Sequence, residues 1–178
     1  MEIAPAPETP IRIVRASGDF ADWDSLHALL VRCFAYMEGR IDPPSSLAAM
    51  GPAELEAKSR TEILLLAMAG ARIAGCLFLR LDADAVYIGK LAVDAPFRRQ
   101  GLARRLIAAA EAIARETGRP KLVLQTRVEL AENQDSFARL GFAITARTAH
   151  QGFDRPTSVT MTRPVGAPAR AVPHGEPA

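Results

Sequence analysis

At 178 residues, 49% hydrophobic and 24% charged, the chain can bury one real core and carries none of the compositional bias of a disordered segment. A net charge of +2 is too small to argue for a nucleic-acid partner. No basic region leads into an apolar run at the start, and the longest apolar stretch, 63–71, is far too short for a bilayer, so a soluble, cytoplasmic protein without a membrane partner is expected. Cys33 and Cys76 stand alone in apolar surroundings, which suits buried, reduced thiols and no metal site.

The segment 1–10, with three prolines and two glutamates, is expected to be a flexible leader, and 164–178, with four prolines, a flexible tail. The domain between them is 11–163. Ile11–Arg15 alternates as a first strand. Trp23, Leu26, Leu30, Cys33, Phe34 and Met37 recur at helical spacing, with Asp22 or Asp19 as the cap. The stretch 39–46 interrupts the pattern before a weaker helix at 52–59. Strands follow at 62–69, 72–81 and 85–93. A long helix at 101–117 buries Leu102, Leu106, Ala109, Ala110 and Ile113 and exposes Arg104, Arg105, Glu111 and Arg115; Gly118 and Pro120 stop it. A strand at 121–127, a short helix at 132–140 and strands at 142–148 and 157–163 complete the order. A meander followed by strand–long helix–strand predicts an α+β sandwich with a partly parallel sheet, because that crossover makes a right-handed parallel pair.

Chemistry concentrates in 86–105, where a buried strand enters a basic, Gly-containing turn that opens into the longest helix. A helix's first turn has unpaired N–H groups and partial positive charge. Arg98, Arg99, Arg104 and Arg105 crowd that end against the dipole, and Gly101 admits a ligand to the backbone, so an anion, a phosphate above all, suits the site. The turn lacks both the GxxxxGK spacing of a P-loop and GxGxxG.

As Arg98-x-x-Gly101-x-Ala103, the turn resembles the R/QxxGxG/A loop of the GNAT superfamily of acyl-CoA-dependent N-acyltransferases. Element order agrees across 11–163, and Leu140-Gly141-Phe142 matches the family's usual end of the last helix. The resemblance implies a three-layer sandwich around a mixed, mostly antiparallel sheet, in which two central parallel strands, 85–93 and 121–127, splay into a V. It implies acetyl-CoA as cosubstrate and direct attack on the thioester by a primary amine, on a small molecule or a peptide. By the same resemblance, Leu91, Ala92 and Val93 flank the pantetheine arm. The loop Arg98, Arg99, Gln100, Gly101, Leu102, Ala103 and Arg104 holds the pyrophosphate through backbone N–H groups. Two positions depart from the family: Leu130 stands where an Asn is common, and Phe137 replaces the Tyr that serves as general acid. Asn133, one turn further on, either supplies the missing contact to the cofactor or is an exposed or capping residue.

A proton must also leave the amine. Tyr87 occupies a position where some relatives carry a base, and period-two alternation puts it on the strand face of Leu91 and Val93. Glu38, with Tyr36, ends the first helix on the acceptor side. These two, Tyr87 and Glu38, are the catalytic candidates, each with packing or solvation as its alternative. Glu129 and Glu132 suit capping as well as chemistry, His27 and His150 read as surface, and Lys90 as solvated or helix-contacting. A homodimer is the assembly to consider. The rival function, suggested by Phe137, is a catalytically weak or inactive CoA-binding or sensing module; an acceptor on charged tRNA is disfavoured by the weak net charge.

Overall fold

The computed structural model describes residues 10–166, so most of the expected leader and tail lie outside the described residues. Seven strands form one sheet: β1 (Ile11–Arg15), β2 (Ile63–Ala69), β3 (Arg72–Leu81), β4 (Val86–Val93), β5 (Lys121–Arg127), β6 (Ala143–Thr148) and β7 (Ser158–Pro164). Their spatial order is β1-β2-β3-β4-β5-β7-β6, antiparallel throughout except for the parallel β4–β5 pair. Helices α1 (Trp23–Phe34) and α2 (Pro52–Ser59) cover one face; α3 (Leu102–Glu116) and α4 (Ala131–Arg139) lie on the other. Because β4 and β5 are parallel, the chain must cross over between them, and α3 is that crossover.

The two faces have separate cores. Leu26, Leu29, Leu30 and Leu55 pack on Cys76 and Phe78 on the α1/α2 side, whereas Leu106, Ile107 and Ala110 pack on Leu77, Leu79, Val86 and Leu122 on the other. Neighbouring β3 residues Cys76, Leu77, Phe78 and Leu79 thus alternate between cores, and all four are fully buried, as a doubly covered strand requires.

Three expectations are corrected. The first helix stops at Phe34, and Ala35–Met37 is a single tighter 3-10 turn; the Asp22 carboxylate accepts from the Ser25 N–H at 3.4 Å, so the expected cap stands. Glu111, expected on the wet face, is buried between Arg115 and Arg163, whose Nη2 is 2.9 Å from Glu111 Oε2. The boundary placed at 163 falls inside β7. Beyond that strand, Val165 packs on the core and donates its N–H to the Pro120 carbonyl at 2.8 Å, while Arg115 Nε holds the Gly166 carbonyl at 3.1 Å. Cys33 and Cys76 are buried and free.

Candidate active site

The turn after β4 is held by Asp94, a residue the pattern of the sequence did not single out. Its side chain is 5% exposed, accepts from Arg72 at 2.7 Å, from Arg32 at 3.3 Å and from the Ala95 N–H at 3.0 Å, and caps a short 3-10 turn at Ala95–Phe97. Burial alone would raise its pKa, but the bonds from Arg72, Ala95 and Arg32 outweigh it and hold the carboxyl below its usual range. From that anchor the chain takes two left-handed steps, at Arg99 (φ 65°) and Gly101 (φ 73°), and enters α3. The first helical bond runs from Arg105 N–H to the Gly101 carbonyl at 3.1 Å. The N–H groups of Leu102, Ala103 and Arg104 precede it and have no intrahelical acceptor. They open on a groove of about 390 Å³ lined by Arg98, Arg99, Gly101, Ala103 and Arg104 on one side and Ser136 and Arg139 of α4 on the other.

The four arginines divide. Arg98 Nε is spent on the Val93 carbonyl at 3.0 Å and Arg105 Nη2 on the Ile11 carbonyl at 2.6 Å, so both brace the loop. Arg99 and Arg104 line or flank the groove, and none of the four meets a carboxylate among the described residues. Gln100 is exposed, donates to the Pro96 carbonyl at 3.1 Å and stays outside the groove. Leu102 is 2% exposed, so its side chain serves the core and only its N–H faces outward.

Ser136 also lines a neighbouring cleft of about 510 Å³. The cleft exists because β4 and β5 pair over just three residues, Val86–Leu122, Tyr87–Val123 and Ile88–Leu124, and then part. Its walls come from both faces of the sheet: Leu91 and Phe137 from the α3 side, Tyr87, Lys90 and Lys58 from the α1/α2 side. A bulge in β4 decides which side chain lies where. Phe78 pairs Gly89 but Cys76 pairs Ala92, so Lys90 and Leu91 together oppose Leu77. Lys90 takes the extra place with φ 53°, and the alternation resets. Leu91 and Val93 therefore share the α3 side with Val86 and Ile88, while Ala92 packs with Cys76 and Phe78. Tyr87 is on the opposite face from Leu91 and Val93, contrary to simple alternation. It still reaches the cleft, with Arg80 stacked 4.5 Å from its ring centroid.

The expected acceptor side does roof the cleft. Tyr36 Oη donates to Asn133 Oδ1 at 3.1 Å, Asn133 Nδ2 lies 2.8 Å from the same hydroxyl, and Arg40 pairs with Glu132 at 2.6 Å. Arg127 Nη2 holds the Pro43 and Pro44 carbonyls at 2.6 and 3.0 Å. Asn133 and Glu132 are thus engaged in joining α4 to the 35–46 connection. Phe137 lines the cleft with its ring edge-on to Phe142 at 6.2 Å. Glu38 is exposed and lines a separate hollow behind Met37, Ile41 and Pro44, so the fold does not bring it into the cleft. Glu129 makes no cap: α4 starts at Leu130 without a side-chain cap bond, and Glu129 Oε1 is 3.7 Å from Arg155. His27 bridges to the Met50 carbonyl at 2.9 Å. His150, exposed but lining the cleft, sits 2.6 Å from Thr157 Oγ1 and 3.1 Å from Arg127.

Burial raises the Tyr87 phenol, with Arg80 opposing, so near neutral pH it is a donor. Burial lowers His150, and Arg127 adds to the effect. Among the described residues no Asp or Glu lines the cleft. Among the described residues no group of three or more His, Cys, Asp or Glu could hold a metal ion, and no helix is long and apolar enough to cross a membrane.

The fold has parallels among known proteins. The chain is similar to PaiA N-acetyltransferase from Thermoplasma acidophilum, solved in complex with coenzyme A (15% identity, 87% of this chain and 99% of that one, TM-score 0.72). It is similar to a GNAT acetyltransferase from Elizabethkingia anophelis with acetyl-CoA bound (20%, 86% and 97%, TM-score 0.62). It also resembles the ribosomal-protein-S18-alanine N-acetyltransferase of Escherichia coli (17%, 92% and 99%, TM-score 0.61). At these identities the likeness is one of fold. A search of curated proteins returns no match. A family model described as the acetyltransferase (GNAT) family matches residues 23–142, two thirds of the chain, and the protein belongs to that family.

Proposed function

We propose that the chain transfers an acetyl group from acetyl-CoA to a primary amine of a small molecule or peptide. The observation that carries this reading is that the α3 groove adjoins the cleft where β4 and β5 part, Ser136 lining both. The residues fit the cosubstrate: unpaired N–H groups at Leu102–Arg104, and Arg99 and Arg104 without carboxylate partners, suit a pyrophosphate. Leu91 and Phe137 line the cleft where an extended arm from that groove would run. Acetyl-CoA supplies the activated acyl group as a thioester.

What the protein itself contributes is placement and one proton. The roof of Tyr36, Asn133 and Arg127 orients the acceptor. Tyr87, kept protonated by burial, is the candidate donor in place of the hydroxyl that Phe137 lacks. With no carboxylate lining the cleft, the amine gives its proton to water. Thiol release with a panel of amines tests turnover, and melting temperature tests binding. Acetyl-CoA should raise the melting temperature, and dephospho-CoA should keep much of the effect because the pyrophosphate is the handle. No shift at millimolar acetyl-CoA refutes the reading. A shift without thiol release from any amine supports the rival that Phe137 suggests, a CoA-binding module of little or no activity.

A further inference from the structure

Two cations that line the cleft, Lys90 and Arg127, form no ion pair among the described residues. Lys90 Nζ meets the Ser46 hydroxyl at 2.7 Å and forms no ion pair among the described residues. Lys58, on the same wall, is matched by Glu62 at 2.6 Å, so that pair adds little net charge. On the far wall Arg127 spends its N–H groups on the Pro43 and Pro44 carbonyls and on His150. Among the described residues no Asp or Glu lines the cleft, so its lining is net positive, from Lys90 on one wall and Arg127 on the other. Lys90 is delivered there by the extra residue of the β4 bulge, in a left-handed conformation that is strained for a lysine. Between the two charged walls the lining is apolar, with Phe34, Met37 and Met50.

We propose that the acceptor amine carries an anionic oxygen group on a short apolar body, and that Lys90 with Ser46 receives that group. The proposal rests on the acetyl-transfer reading and adds the substrate class. A half-buried ammonium with another lysine nearby lacks the solvation it would have in water; burial, then Lys58, hold its pKa below the ordinary lysine value, with Glu62 opposing. An anion bound against it removes that deficit, and a charge-assisted bond to the ammonium and the hydroxyl fixes its orientation. The same positive field disfavours an ammonium inside the cleft. An acceptor anchored by its acid end therefore presents its amine in the neutral form that can attack.

Four amines with one apolar body test this by thiol release: L-leucine, 1-amino-3-methylbutylphosphonic acid, L-leucinamide and isoamylamine. The two acids should show KM values at least about 10-fold below those of the two neutral-bodied amines, and whichever acid is preferred identifies the anionic group. Lys90→Gln should collapse the preference for the acids while the KM for acetyl-CoA moves less than about 2-fold, and Lys90→Arg should restore part of it. A readout without turnover is calorimetric titration of N-acetyl-L-leucine and N-acetyl-L-leucinamide into the ligand-free protein. The acid should bind the more tightly, and Lys90→Gln should erase the difference. Equal use of leucine, leucinamide and isoamylamine overturns the proposal and leaves acetyl transfer standing. A rise in acetyl-CoA KM matching that for leucine overturns it by assigning Lys90 to the cosubstrate. No thiol release from any amine, with selective acid binding lost in Lys90→Gln, supports the anion site and refutes acetyl transfer.

Discussion

The two ends of the ligand path are built on different principles. At the α3 end, the path of the turn is set within a dozen residues of chain: Asp94 caps it, Arg98 returns to Val93 five residues back, and Arg99 and Gly101 supply the left-handed steps, with Arg32, Arg72 and Ile11 bracing it from outside. At the cleft end, the shaping contacts join distant segments: Tyr36 to Asn133 across 97 residues, Arg127 to Pro43 across 84, Lys90 to Ser46 across 44. A local device can be copied between proteins as one segment and holds a ligand part that does not vary. A non-local one is remade by any change in the roof, which suits the side of an enzyme that must distinguish acceptors.

The contrast can be broken most severely at Gly101. A β-branched residue at φ 73° is strained, and a Cβ there meets no atom within 4 Å, so it would stand in the open space above the N–H groups. Gly101→Val should abolish the acetyl-CoA-induced shift in melting temperature. The strain itself should cost about 1–3 kcal/mol, read as a melting temperature lower by several degrees without ligand. Retention of the shift would show that the groove does not hold the cosubstrate.

Phe137→Tyr probes the junction of the two ends. The ring lines the cleft, so a hydroxyl there should raise kcat toward the low end of the 10²–10⁴-fold typical of general acids while binding stays constant. A melting temperature lowered by the equivalent of about 1–3 kcal/mol with unchanged kcat would instead place the hydroxyl, unpaired, against Phe142. If Tyr87 already supplies the proton, Phe137→Tyr is neutral and Tyr87→Phe carries the loss.

Asp94→Asn tests whether the local end depends on one buried carboxylate. Removing the charge between Arg72 and Arg32 should cost about 1–3 kcal/mol at pH 7, measured by urea unfolding. The folded pKa is depressed, so the stabilisation is fully present above the unfolded value of about 3.9 and is lost as pH falls through the lower folded value. The gap between wild type and variant should therefore shrink on acidification below about pH 4. A gap independent of pH would assign the loss to packing.

The smallest effect is expected at the roof. Tyr36→Phe removes an exposed hydrogen bond to Asn133, worth about 0.5–1.5 kcal/mol, and should raise the amine KM a few-fold with acetyl-CoA KM unchanged. Equal losses for both substrates would mean that the roof also positions the cosubstrate.

Element existence was readable because each strand and helix carries its own period: β1, α2, β3 and β5 fall where the pattern puts them, and the remaining boundaries move by one to three residues. The basic turn at the start of α3 was readable for the same reason, since a Gly turn and a helix start are adjacent in the chain. Alternation misplaced Tyr87 because nothing in Val86–Val93 announces the bulge; the register with β3 imposes it. Likewise Glu38 had the right chemistry and chain position, but the 3-10 turn at Ala35–Met37 leaves it outside the cleft.

By itself, then, the sequence determined the order of elements, the parallel crossover and the place of the basic turn that opens α3, all of which are announced by patterns within a few residues. Tertiary structure decided that Asp94 is the anchor, that Tyr36 closes on Asn133 and that Lys90 is an uncompensated cation in the cleft. Those outcomes depend on which distant groups meet and how deeply they are buried, and burial sets the strength of a charge far more than residue type does.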